Sequence, residues 1–62
     1  MAADAARVGL VLLPGFSLAA LAGVVEVLHA ANQVLDAAAY EPVLLATQGT
    51  SVAAAGGVPV AV

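Results

Sequence analysis

Few side chains in this sequence could do chemistry, and they gather in one short segment. Glu26 and His29 stand three residues apart, a spacing that puts two side chains on one helical face and lets a Glu-x-x-His pair supply two metal ligands. A metal site needs three or four ligands, and the sequence has one histidine and no cysteine. His29 is therefore read as a surface or interface residue, and neither a metal nor another cofactor is expected. Glu26 has Ala22 and Ala30 four residues away on either side, so its own helix gives it no cationic partner. Upstream, Gly15, Phe16 and Ser17 offer backbone N–H groups where a helix begins, a place suited to an anion or a carbonyl oxygen. A turn followed by a helix cap calls for the same residues, so both readings stand. Gly56-Gly57 has no following lysine and is read as a turn rather than a phosphate loop.

The elements that must carry these residues follow from the apolar pattern. Arg7 to Leu13 is a continuous apolar run after its first residue, as expected of a strand buried on both faces of a parallel sheet. Pro14-Gly15 ends it. Ser17 is the expected N-cap of a helix from Leu18 to Leu35, with Leu21, Val25, Leu28 and Leu35 as the apolar stripe and Glu26, His29, Asn32 and Gln33 on the polar side. Asp36 and the small residues after it close the helix. Tyr40 to Thr47 predicts a second strand, with Pro42 tolerated near its start. Strand, crossover helix and strand make a βαβ unit with a parallel pair. Thr50 to Ala54 and Val58 to Val62 predict a short hairpin turning at Gly56-Gly57. Residues 1–6 are expected to be a disordered, alanine-rich leader.

Composition sets the bounds. Of 62 residues, 65% are hydrophobic and 8% charged, against about 45–50% and about 25% in ordinary soluble domains. Small chains have the most surface to keep wet, so this excess implies a fragment whose apolar faces meet further parts of a larger domain. The net charge of −3 sets Asp4, Glu26, Asp36 and Glu41 against Arg7 alone, so these residues cannot neutralise a row of phosphates. Val8 to Val25 carries no charge, and Ala20-Leu21-Ala22 looks like a signal-peptidase site. Pro14-Gly15 splits that run, however, and the helix after it has a polar side. A cytoplasmic protein without membrane insertion is expected.

Pro14-Gly15-Phe16, Leu21-Ala22-Gly23, Val25-Glu26-Val27-Leu28 and Ala30-Ala31-Asn32 resemble, in order and spacing, the opening of the class I glutamine-amidotransferase-like superfamily. That superfamily includes the PfpI-type intracellular proteases. Within it, the resemblance is to the amidase-like domain at the front of AraC-family transcriptional regulators. It runs from Arg7 through the rest of the sequence and implies that residues 7–62 are the N-terminal part of such a domain, truncated at its C-terminal side. The implied fold is α/β: an N-terminal βαβ unit plus a short β-hairpin, a fragment of a flavodoxin-like three-layer parallel sheet.

Two departures matter. The family places an acid three residues after the serine, beside a cysteine nucleophile that comes later in the chain, and this sequence has Ala20 there. A carboxyl group at that point could tune a thiol or relay a proton, which alanine cannot do. Val24 replaces a family proline. These residues therefore provide no catalytic group, and the chain as it stands is not expected to be an enzyme. The resemblance implies an effector-sensing or dimerisation domain that meets a small-molecule effector through Gly15, Phe16, Ser17 and Glu26, the last as a pocket or dimer-interface carboxylate. The full-length protein would be a homodimer, touching DNA only through a separate C-terminal helix-turn-helix region. The alternative is a fragment of a cysteine-dependent PfpI-type amidase, hydratase or peptidase.

Overall fold

A computed structural model describes residues 5–62. The first strand, β1 (Ala6–Val11), begins one residue before the expected start and ends two residues before the expected end. The first four residues of the expected leader lie outside the described residues. Leu13 is drawn out of the strand by the turn after it. Its carbonyl accepts from Phe16 N–H at 3.0 Å, Pro14 follows it, and Gly15 sits at φ 83°. Proline second and a left-handed glycine third are the marks of a type II turn.

The helix α1 spans Leu18–Leu35. Ser17 is extended and its hydroxyl accepts from Ala20 N–H at 3.1 Å, satisfying one of the N–H groups that have no partner in the first turn. At the other end Asp36 takes the left-handed conformation, φ 51° and ψ 43°. Asp36 N–H then reaches Gln33 O at 3.2 Å and Ala37 N–H reaches Asn32 O at 3.1 Å. This pair of bonds is a Schellman motif with aspartate where glycine is usual, and aspartate is among the few residues that tolerate this region.

The second strand, β2 (Tyr40–Leu45), lies parallel to β1 in a register pairing Ala6 with Tyr40 and Val11 with Leu45. It ends two residues early because β1 offers no partner strand beyond Val11. A short antiparallel hairpin follows, β3 (Ser51–Ala53) with β4 (Pro59–Ala61), each strand shorter than expected. A tight turn at Ala55–Gly57 joins them, and Gly56 and Gly57 both have positive φ. The fold is mixed α/β: a parallel pair with its crossover helix, plus a small hairpin. The hairpin is fastened to the β1–α1 turn by Gly15 N–H to Ala53 O and Ala55 N–H to Phe16 O, both 2.8 Å.

Burial is scarce and concentrated. Leu12, Val52 and Ala54 are the buried apolar residues among those described, and all lie within three residues of that seam. In α1, Leu21, Val25 and Leu28 are half-buried along the expected stripe, and the helix rests mainly on β2. Leu35, expected in the stripe, is 55% exposed. Its place is taken by Asn32, half-buried and four residues after Leu28, whereas polarity had put Asn32 on the wet side. The opposite face of α1 exposes Val27 and Val34, at 67% and 86%. The Cα radius of gyration is 13.2 Å, against about 11 Å for a compact chain of this length. The molecule is a slab 41 × 21 × 12 Å. By length and composition α1 is also apolar enough to cross a membrane.

Candidate functional site

Because α1 leans over β2, its N-terminal half and β1 leave a groove between them. The groove is open to solvent along its length and has a volume of about 330 Å³. The end of β1 and Leu12 after it (residues 9–12) form one wall, Phe16 and Ser17 one end, and Ala20, Leu21 and Val24 the other wall. The walls are apolar apart from backbone, and the Ser17 hydroxyl is the polar side-chain group on them. The groove is formed by the strand-to-helix junction itself: the type II turn reverses the chain, the Ser17 cap starts the helix at once, and the first turn of α1 faces the end of β1.

The expected site residues are separated by this geometry. Phe16 and Ser17 line the groove. Gly15 stands behind it in the turn. Its N–H is given to Ala53 O, and that of Phe16 to Leu13 O, so two of the backbone donors considered for an anion are engaged within the fold. Glu26 is exposed on α1, beyond the groove. Ala20, the position at which the resemblance places an acid, is in the groove wall. An acid there would have put a carboxylate in that wall.

Glu26 and His29 are both exposed. Among the described residues, no group of three or more His, Asp or Glu side chains is close enough to hold a metal ion. The charged residues near the sheet form one ion pair, Arg7 Nε to Glu41 Oε2 at 3.7 Å, with both side chains largely exposed. The pair stands on the sheet face opposite Val8 and Leu10, since successive strand residues alternate faces.

Asn32 has a role that its polarity conceals. Its amide Nδ2 donates to Tyr40 O and its Oδ1 accepts from Tyr40 N–H, each at 2.9 Å. The side chain thus imitates a neighbouring strand and holds the first residue of β2 beneath the last turns of α1. The signal was in its spacing, eleven residues after Leu21 and four after Leu28, which places it on the sheet-facing stripe.

No protein-family model, curated protein or solved structure matches this chain.

Proposed function

We propose that this chain is part of the effector-sensing or dimerisation domain of a bacterial AraC-family transcriptional regulator, with the β1–α1 groove as its effector site. In this reading the βαβ unit and hairpin are the N-terminal piece of a flavodoxin-like three-layer parallel sheet. The exposed apolar faces of α1 and of the sheet meet the rest of that domain and its dimer mate. The regulator is cytoplasmic and touches DNA through a C-terminal helix-turn-helix region.

The observation that carries the proposal is the make-up of the groove. Its volume falls in the range of small-molecule sites, about 300–1,000 Å³, at the strand-to-helix junction where α/β folds bind ligands. Acid–base or nucleophilic catalysis requires a titratable group within reach of the reacting atom. The groove wall has apolar side chains, a hydroxyl and Ala20. A lining of this kind suits recognition, and Ala20, standing where the resemblance places an acid, weighs against the hydrolase alternative. Filling the groove would also draw the N-terminal half of α1 toward β1 while Asn32 holds its far end to β2. Ligand binding would thereby be coupled to the tilt of the helix, which is the differential contact a sensor needs.

The test is to isolate the native polypeptide from its source cells and sequence it. A soluble, dimeric protein with two helix-turn-helix units after this segment, which binds promoter DNA in an effector-dependent way, is the expected result. Recovery in the membrane fraction, or a polypeptide with no helix-turn-helix region, overturns the proposal.

A further inference from the structure

We infer that α1 packs through its outer face against α1 of a second copy of this chain, the two helices running antiparallel about a two-fold axis. The inference rests on the reading above, in which α1 forms an outer layer of a three-layer domain. It adds which face the dimer uses and how the two faces mesh.

The outer face is an apolar seam. Gly23, Val27, Ala30 and Val34 follow one another at spacings of four, three and four, which aligns them along one side of a helix. All four are exposed, on the side away from Leu21, Val25, Leu28 and Asn32. Val34 and Val27 are the two most exposed large apolar side chains among the described residues. In a three-layer domain the remaining elements extend the sheet and cover its other face. None of them reaches the outside of α1, so its cover comes from a second molecule.

There is surface to bury. A compact chain of 5.9 kDa keeps about 3,600 Å² exposed, and this one exposes 4433 Å². The surplus is roughly 850 Å², near the about 800 Å² that each partner gives to a standard interface.

The order of residue sizes along the seam identifies the occupant and its direction. With the axis passing between Leu28 and His29, Val27 meets the partner's Ala30 and Val34 meets the partner's Gly23. Each large side chain then faces a small one, and the two-fold axis repeats both contacts. A parallel pair in register would set valine on valine and leave gaps at Gly23 and Ala30. Antiparallel helices also bring opposite ends of their dipoles together. Glu26, at the border of the seam, falls nearer the partner's Gln33 than the partner's Glu26.

Gly23 supports this separately. A Cβ added there meets nothing within 4 Å, and its φ is not positive, so the fold itself does not call for glycine. Glycine weakens a helix interior relative to alanine. Close approach of a neighbouring side chain to the backbone is what calls for it.

The protein has no cysteine, so introduced thiols report the geometry. In a thiol–disulfide buffer, equal amounts of Val34→Cys and Gly23→Cys protein are expected to form the mixed disulfide. Val34→Cys alone should form none, because the axis sets its two copies about 16 Å apart along the helices. Gly23→Leu fills the hole. It should leave the circular dichroism spectrum at least as helical and raise the dimer dissociation constant by about tenfold or more in sedimentation equilibrium.

Disulfide dimers of Val34→Cys alone overturn the antiparallel arrangement. A protein that is monomeric at millimolar concentration, or a dimer that Gly23→Leu does not weaken, overturns the interface. A dimer meshed in this way within a polypeptide lacking a helix-turn-helix region leaves this inference standing and overturns the regulator alone.

Discussion

The βαβ unit and the hairpin reach order by different means. The hairpin pairs three residues on each strand and yet owns Val52 and Ala54, two of the three buried apolar residues among those described. The far longer βαβ unit owns only Leu12. It is held by a hydroxyl cap at Ser17, a Schellman closure at Asp36, a six-residue parallel ladder and the Asn32 clamp. Local backbone satisfaction can thus define a helix and two strands with almost no interior. Among the described residues, full burial appears only where two units press together, at the seam between residues 15–16 and 53–55. Its location follows from crossing chains rather than from hydrophobicity, since Val27 and Val34 are as apolar as Val52 and stand in the open.

Substitutions that act on one unit at a time sharpen this contrast. Leu12→Ala removes the single buried side chain of the βαβ unit, beside the hairpin seam. It should destabilise the whole molecule by about 2–3 kcal/mol, the low end for a buried leucine, seen as a lower urea midpoint by circular dichroism. A change below about 0.5 kcal/mol would mean that the two units do not share a core, and the comparison would fail. Asn32→Ala removes both bonds to Tyr40. With each worth about 0.5–1.5 kcal/mol and the site partly wet, a loss of about 1–2 kcal/mol is expected. Hydrogen exchange should quicken at Tyr40 while the Ser51–Ala61 ladder is left protected. Equal loosening of the hairpin would show that the clamp serves both units.

The smallest effects belong to exposed groups. Arg7→Ala breaks an ion pair in water and should change stability by less than about 0.5 kcal/mol, with a urea midpoint that barely moves between low and high salt. Val34→Ser should fall in the same range in dilute solution. A large effect of Val34→Ser that grows with protein concentration would mean that the outer face of α1 is covered by association.

How far these features could be read in advance depended on how local their causes were. The helix limits at Leu18 and Leu35 were legible because Ser17 and Asp36 each stop or start a helix through their own hydrogen bonds. Strand limits were not, since a strand ends where its partner does. Leu13 looks like more strand but is claimed by the turn to Phe16, and Ala46 and Thr47 find no partner on β1. The parallel pair and the hairpin followed from apolar runs broken by proline and glycine. Around the groove, the junction of Phe16 and Ser17 could be placed from the turn and cap residues. That Gly15 would turn away and Glu26 lie outside depended on how α1 leans, which comes from packing over β2. Residue type points Asn32 to the wet side, whereas its angular position on the helix points it to the sheet. An amide can face a sheet when backbone partners await it there.

The Asn32 clamp also governs which lengths of chain this architecture permits. By fixing Tyr40 beneath α1, it sets the return from Asp36 to Ala39 at a single length. One residue inserted there would push β2 along by one position and exchange the faces on which Val43 and Leu44 stand. An insertion between Ala46 and Thr50 meets no such gauge, because no side chain ties that segment to the helix among the hydrogen bonds of the described residues. Deletions and insertions in natural variants should therefore be sorted by this one amide, gathering after Leu45 and sparing the four residues that precede Tyr40.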